Sequence, residues 1–404
     1  MNKFSKKGFH SICVKDPLID GLSSHIPPIY ATSTFAYDNL EAAFDFFKSG
    51  GKTEGVYTYS RLGNPTTRFV AEKIAALEAY NIDINVFGML FSSGMAAISA
   101  AVLATVKAGD KVLTQGNLYG TTNELLVSFL KDYGIETVYA DLKDLNYVED
   151  VIINDEKIKL IYIETPANPT LACCDLDGLA AIAQNLGVKT IVDNTFASPY
   201  VQQPLKFGID FVVHSSTKFL NGHGTATTGI VIAKNEDEIY KRVYSIQKIL
   251  GAVCSPFDAF LLNNGVKTLP LRMEQHQKNA MALAQFLTQQ DAVEKVNYLG
   301  LETHEDHLLA KEQMHGFTGM LSFELKGGME AGMRFMRGIK FCTLTATLGT
   351  ADTLVTHSAS TSHVNVPKEQ RLQYGITDGL IRCSVGLENI EDILEDFDAA
   401  LKGI

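Results

Sequence analysis

Lys218 closes the run His214-Ser215-Ser216-Thr217-Lys218, an amine set among hydroxyl groups just after an apolar stretch. A lysine is by default a surface residue. Kept neutral by burial or neighbouring positive charge, the same amine becomes a nucleophile able to form a Schiff base. Asp193 follows the apolar residues 190–192 in the same way, and alone it reads as an ordinary cap. Ser93-Gly94-Met95 opens an Ala-rich helical stretch. A serine there is commonly a plain N-cap. Free N–H groups at a helix start also suit a phosphate, and glycine lets the backbone approach the anion. Tyr119 is an aromatic ring in a turn, and Glu164 and Asn168 follow the apolar residues 160–163. Arg382 interrupts the apolar run 380–385. A strand arginine is usually at an edge or ion-paired, whereas facing a pocket its planar fork fits an α-carboxylate.

Each residue alone has a bland reading; together they fit pyridoxal 5′-phosphate (PLP). Lys218 would carry the cofactor, the Ser93-Gly94-Met95 turn would take its phosphate, and Tyr119 would stack on its ring. Asp193 would pair with the pyridinium nitrogen, keeping the ring protonated as an electron sink. Arg382 would hold the carboxylate of an amino-acid substrate.

Positioning these groups calls for an open, mostly parallel α/β sheet, which binds ligands outside the carboxyl ends of its strands. Between about 64 and 256, apolar runs at 87–91, 111–115, 136–140, 160–163, 190–192 and 211–213 alternate with helical patterns. Continuous apolar strands separated by helices predict a mostly parallel sheet covered on both faces. From about 257 the pattern changes: a helix over 280–290, a strand over 320–325, a Gly- and Met-rich helix, a polar stretch 343–363 and a strand over 380–385. This predicts a smaller α+β domain, and 404 residues exceed what one core holds. The expected division is an N-terminal arm over 1–62, with one helical stretch near 40–47, a large domain over 63–257 and a C-terminal domain over 258–404.

With 46% hydrophobic and 20% charged residues the composition is globular. A net charge of −11 makes nucleic acid and anionic membrane poor partners. Six cysteines without a C-x-x-C pair fit a reducing compartment. The first residues lack the apolar core of a signal peptide, and no apolar run is long enough to span a bilayer, so a cytoplasmic location is expected. No G-x-G-x-x-G follows a strand, which leaves a dinucleotide site unsupported. His304, His307 and His315, and His357 with His363, lack carboxylate or thiolate companions at ligand spacing, so no metal is expected.

The chain resembles the Cys/Met-metabolism PLP enzymes, a group of cystathionine synthases and lyases, methionine γ-lyases and O-acylhomoserine sulfhydrylases. The matching stretches are residues 57–66 (YTYSRLGNPT), 92–97 (SSGMAA), 118–120 (LYG), 164–169 (ETPANP), 193–196 (DNTF), 210–223 (DFVVHSSTKFLNGH) and 382–388 (RCSVGLE). The resemblance implies a fold-type I PLP enzyme with Lys218 binding PLP, Asp193 at the pyridine nitrogen and Asn168 near the ring hydroxyl. Gly94, Met95, Ser215 and Thr217 would hold the phosphate. Tyr119 would stack on the ring and protonate the leaving group, and Thr347 and Arg382 would hold the substrate carboxylate. It implies that Tyr59 and Arg61 reach the phosphate of a neighbouring subunit, in a tetramer built from two catalytic dimers.

Within this resemblance three positions bear on the reaction. Thr121 stands where methionine γ-lyases carry a cysteine, and Gln247-Lys248 where they carry a Lys-Asp pair. Ala346 stands where enzymes that grip the distal amine of cystathionine carry a glutamate. These favour γ-replacement on an O-acylhomoserine with sulfide or a small thiol. Methionine γ-lyase is the close alternative, followed by cystathionine γ-synthase or lyase. A non-catalytic PLP-binding protein and a PLP-free Schiff-base aldolase leave the set of Tyr59, Arg61, Tyr119, Asp193, Lys218 and Arg382 without a purpose.

Overall fold

A computed structural model of the chain describes residues 7–17, 24–37, 39–49, 55–361, 363–364, 366 and 368–404. Parts of the N-terminal arm, residues 1–6, 18–23, 38 and 50–54, lie outside the described residues.

Seven strands form the larger sheet: β1 (Phe87–Phe91), β2 (Lys111–Thr114), β3 (Glu136–Tyr139), β4 (Ile158–Glu164), β5 (Lys189–Asp193), β6 (Phe211–His214) and β7 (Gly229–Ala233). Their spatial order is β1-β7-β6-β5-β4-β2-β3. The pairs among β3, β2, β4, β5 and β6 are parallel. β7 runs antiparallel to both its neighbours, β1 and β6. Every residue of β6 and β7 is buried, as expected of strands covered on both faces. β7 was not anticipated, because Gly-Ile-Val-Ile-Ala carries no periodicity that separates a strand from a buried helix turn. Its antiparallel course has a consequence for the site: the chain leaves the carboxyl edge at β6, makes the loop that carries Lys218, and returns beside it.

Two helices of the larger unit start on side-chain caps. Asn64 caps Pro65–Glu78 by accepting from Thr66 N, with Pro65 at the first helical position. Ser93 caps Gly94–Thr105 by accepting from Ala96 N at 3.1 Å. The Pro65–Glu78 helix also anchors the start of the chain. Lys73, fully buried, donates to Cys13 O at 3.2 Å and Asn263 Oδ1 at 2.8 Å, and bonds the Asp16 carboxylate, which Lys267 also approaches at 2.8 Å. A buried amine needs this full set of acceptors.

The smaller sheet comprises β8 (Val293–Asn297), β9 (Met320–Leu325), β10 (Thr343–Leu344), β11 (Leu354–His357) and β12 (Leu380–Ser384), in the order β10-β11-β12-β9-β8. Only β10 and β11 pair in parallel. Phe323, Phe335 and Phe397 meet at ring distances of 5.4–6.1 Å between this sheet and the helices Gly328–Gly338 and Ile390–Leu401. The helix Pro256–Lys267, which begins at the expected division near 257, packs on Pro65–Glu78 of the larger unit. The next helix, Leu269–Leu287, leads into the smaller one, where Ala280, Leu283 and Leu287 join its core.

Candidate active site

Lys218 sits in the β6–β7 loop, half-buried. The loop is stiffened from within. Lys218 N donates to Ser215 O at 3.1 Å, and Ser216 Oγ donates to Thr228 Oγ1 at 2.8 Å. Thr217 Oγ1 donates to Thr228 O at 3.0 Å and accepts from Thr228 N at 2.9 Å. The Lys218 amine donates to Thr347 Oγ1 at 2.7 Å. Burial, aided by the Arg382 charge, lowers its pKa to about 8. Half the amine is therefore neutral near pH 8, not near the usual lysine value. In the apoprotein the rate at which Lys218 traps an aldehyde is expected to rise with pH around that midpoint. Stopped-flow absorbance on mixing with PLP measures it, and a midpoint above 10 would contradict the burial argument.

Asp193 ends β5 and stands opposite Glu164, the last residue of β4. It accepts from Thr195 N at 3.0 Å and from Tyr162 Oη at 3.4 Å. The two carboxylates have different surroundings. Glu164 accepts from Tyr119 N at 2.8 Å and Asn168 N at 2.9 Å, so it is a bracket fixing both segments. Burial and the Asp193 charge push it up to about 8. Gln115 secures the bracket, donating to Glu164 O at 2.8 Å and accepting from Glu164 N at 3.2 Å.

Gly94 meets Ser215 across the carboxyl edge. A Cβ on Gly94 would lie 2.6 Å from Ser215 Cβ, so only glycine permits this approach. Ser215 N donates to Thr195 Oγ1 at 2.9 Å. Gly94 and Ser215 thus meet where the first turn of Gly94–Thr105, which Met95 continues, offers N–H groups with no intrahelical acceptor, and Thr217 follows two residues along the lysine loop. This cradle fits a phosphate.

Arg382 comes from β12 of the other sheet and is buried. It donates to Asn168 Oδ1 at 3.1 Å, Thr347 O at 2.9 Å and Ala346 O at 3.3 Å, while its Nε is buried without a partner. Burial lowers its pKa to about 10, which leaves it cationic at neutral pH. Gly349 brings the loop in: at φ +77°, a Cβ there would come 2.6 Å from Phe219 N. Its own N–H donates to Ser384 Oγ at 2.8 Å.

Tyr59 and Arg61 stand apart from this group. Tyr59 bridges to Thr34, and Arg61 donates to Lys248 O at 2.6 Å with its guanidinium 5.6 Å from the Tyr59 ring centroid. Tyr119 is 42% exposed, and Thr121 and Ala346 are exposed. Gln247 is buried and donates to Leu90 O at 2.6 Å. Thr228 and Tyr162 were not anticipated. The Thr-Ala-Thr-Thr-Gly run just beyond the lysine loop was the available signal for Thr228; a tyrosine inside an apolar strand offered none. A cavity of about 970 Å³ is lined by Gln115, Asn117, Tyr139, Lys295 and Tyr374, and Lys218 does not line it.

The fold and this cluster define a PLP-dependent enzyme of fold type I. The lowered amine, the glycine-dependent cradle and the unpartnered guanidinium nitrogen suit that cofactor and an anionic substrate. Residues 14–402 match the family described as Cys/Met metabolism PLP-dependent enzyme, and the chain belongs to this family. Over 382 residues it is 45% identical to an L-methionine gamma-lyase of Fusobacterium nucleatum, covering 93% of both chains. It is 43% identical over 376 residues to a cystathionine beta-lyase of Lactococcus lactis, again covering 93% of both. The crystal structure of cystathionine gamma synthase from Xanthomonas oryzae pv. oryzae in complex with cystathionine matches with a TM-score of 0.90 and 36% identity, over 98% of both chains. Among the described residues no helix is long and apolar enough to cross a membrane.

Proposed function

We propose that the chain is a γ-eliminating lyase that converts methionine and water to 2-oxobutanoate, methanethiol and ammonia. The observation that carries this reading is the meeting at Thr347. Its hydroxyl receives the Lys218 amine and its carbonyl receives Arg382. An amino acid held by its carboxylate at Arg382 and Thr347 therefore presents its Cα to Lys218, the base that removes the Cα proton and then moves protons along the side chain. Tyr119 would stack on the cofactor ring and supply the proton to the departing thiolate. Asp193 would pair with the pyridine nitrogen, Asn168 would lie near the ring hydroxyl, and Gly94, Met95, Ser215 and Thr217 would take the phosphate. Bound PLP withdraws electrons from the substrate Cα.

The likeness to a methionine lyase over nearly the whole chain ranks this reading above γ-replacement on an O-acylhomoserine, reversing the order that Thr121, Gln247-Lys248 and Ala346 suggest. Gln247 weakens that objection, since its side chain is engaged with the Leu90 carbonyl of β1. Replacement remains the second reading on the strength of Thr121 and Ala346, both neutral and exposed. A pocket that merely lacks a charge discriminates by about 1–3 kcal/mol, so side activities are expected. The test is kcat/KM for methionine, O-acetylhomoserine, O-succinylhomoserine, homocysteine, cystathionine and cysteine, with and without sulfide. Methionine should lead, with 2-oxobutanoate as product. A lead for an acylhomoserine that depends on sulfide would establish replacement, and pyruvate from cystathionine or cysteine would mean β-chemistry.

The active unit is proposed to be a dimer, two of which form a tetramer, with Tyr59 and Arg61 reaching the phosphate of the partner's site. Their partners within the chain, Lys248 O for Arg61 and Thr34 for Tyr59, lie outside the Lys218 cluster, which supports this. Mixing Arg61→Ala chains with Lys218→Ala chains should regenerate about a quarter of the intact sites, since half the dimers are hybrid and each has one complete site. Hybrid dimers that form without gain over Arg61→Ala alone would show that each site is built from one chain.

A further inference from the structure

The ends of β5 and β6, which carry Asp193 and the start of the lysine loop, are tied together from beneath by a group outside the site. Glu78, the last residue of the Pro65–Glu78 helix, is fully buried. Its Oε1 accepts from Asn194 Nδ2 at 2.9 Å and lies 2.5 Å from His214 Nε2, while its Oε2 has no partner. Asn194 is the residue after Asp193, and His214 the residue before Ser215. Asn194 is held further by Nδ2 to Gln202 O at 2.8 Å and by its own N–H to Val213 O at 3.0 Å. One carboxylate oxygen thus meets the neighbours of two site residues. Leaving its second oxygen buried and unpaired is costly, and a plain structural tie would not require a charge there.

We propose that Glu78 is a positioning residue for the cofactor, acting through Asn194 and His214 to fix Asp193 against the pyridine nitrogen and to set the lysine loop at its distance. The inference rests on the reading of Asp193 given above. An electrostatic contribution runs the same way. Burial raises the pKa of Asp193, and His214 is among the groups that draw it back toward the anion needed beside a pyridinium. Releasing His214 from Glu78 changes its place beside Asp193 and with it that effect.

The test uses Glu78→Gln, His214→Gln and Asp193→Asn holoenzymes loaded with PLP labelled with ¹⁵N in the ring. The readouts are the ring ¹⁵N shift, the visible circular dichroism of the bound cofactor, the PLP dissociation constant, kcat and KM separately, and the melting temperature of each apoprotein. Glu78→Gln should move the ¹⁵N signal toward the unprotonated ring and weaken PLP binding at least about tenfold, the equivalent of one pKa unit at Asp193. It should lower kcat with little change in KM. The loss in kcat should shrink when PLP is replaced by its 1-deaza analogue, which has no ring nitrogen for Asp193 to pair, leaving only the part that runs through the lysine loop. If Glu78→Gln does not fold, His214→Gln, which removes the imidazole from between Glu78 and the lysine loop, carries the same expectations. Unchanged ¹⁵N and dichroism signals in both variants, with Asp193→Asn moving them, would overturn the role of Glu78 alone. Unchanged signals in Asp193→Asn would overturn the reading of Asp193 beneath it.

Discussion

Lys218→Ala is expected to lower the rate of 2-oxo acid release by on the order of 10⁴-fold, since one side chain serves as both cofactor attachment and base. Borohydride reduction of the wild-type holoenzyme should leave the pyridoxyl group on the peptide containing Lys218, and mapping it to any other lysine would refute the assignment. The apoprotein should not be destabilised at neutral pH. The folded-state pKa of Lys218, about 8, lies below the unfolded lysine value, so the fold disfavours the charged amine. That penalty is fully present below pH 8 and fades as pH rises toward the unfolded value, because the unfolded chain binds more protons in that window. The stability gap between Lys218→Ala and wild-type apoprotein should therefore shrink between about pH 8 and 10.5, as denaturant titrations at several pH values would read out.

Arg382→Ala should lower kcat/KM by on the order of 10²–10³-fold, chiefly through KM, as charge-assisted hydrogen bonds to the substrate carboxylate are lost. Arg382→Lys should recover little of it. The guanidinium satisfies Asn168 Oδ1 on one nitrogen and Thr347 O on another, and a single ammonium on a flexible stem cannot hold that planar spacing while also facing a carboxylate. A loss under tenfold in Arg382→Ala would mean that the carboxylate is held elsewhere.

The larger sheet was readable because its parallel strands are unbroken apolar runs that each stop at a polar residue. Strand ends and site residues were therefore found by the same signal at Asp193, Glu164 and Ser215. The reading failed where the period gave no discrimination. β7 is short and apolar throughout, β8 alternates weakly around Glu294 and Lys295, and β11 lies inside the polar stretch 343–363. The same limits hold within the site. Thr347 was legible only through family resemblance, since a threonine in a loop carries no signal of its own, whereas Arg382 stood out by interrupting an apolar strand. The bracket role of Glu164 depends on two backbone N–H groups, which no side-chain pattern encodes. Tyr162 and Glu78 were missed because one sits in a strand and the other ends a helix, both among apolar neighbours.

The site is assembled from both sheets: Lys218, Asp193 and Gly94 from the seven-stranded one, Thr347 and Arg382 from the five-stranded one and the loop entering it. What grips the substrate and what reacts with it thus belong to different sheets, and an apolar cluster runs between them: Leu299, Ala310, Met314, Met320 and Leu348 pack with the core of the larger sheet. A slight shift of one sheet against the other displaces Cα from the amine, and reaction rate falls steeply with such displacement. Local rearrangement at the Thr347 and Arg382 contacts draws on a smaller free energy than global unfolding. Heating or mild denaturant should accordingly lower activity before the circular dichroism changes, and cooling or dilution should restore it.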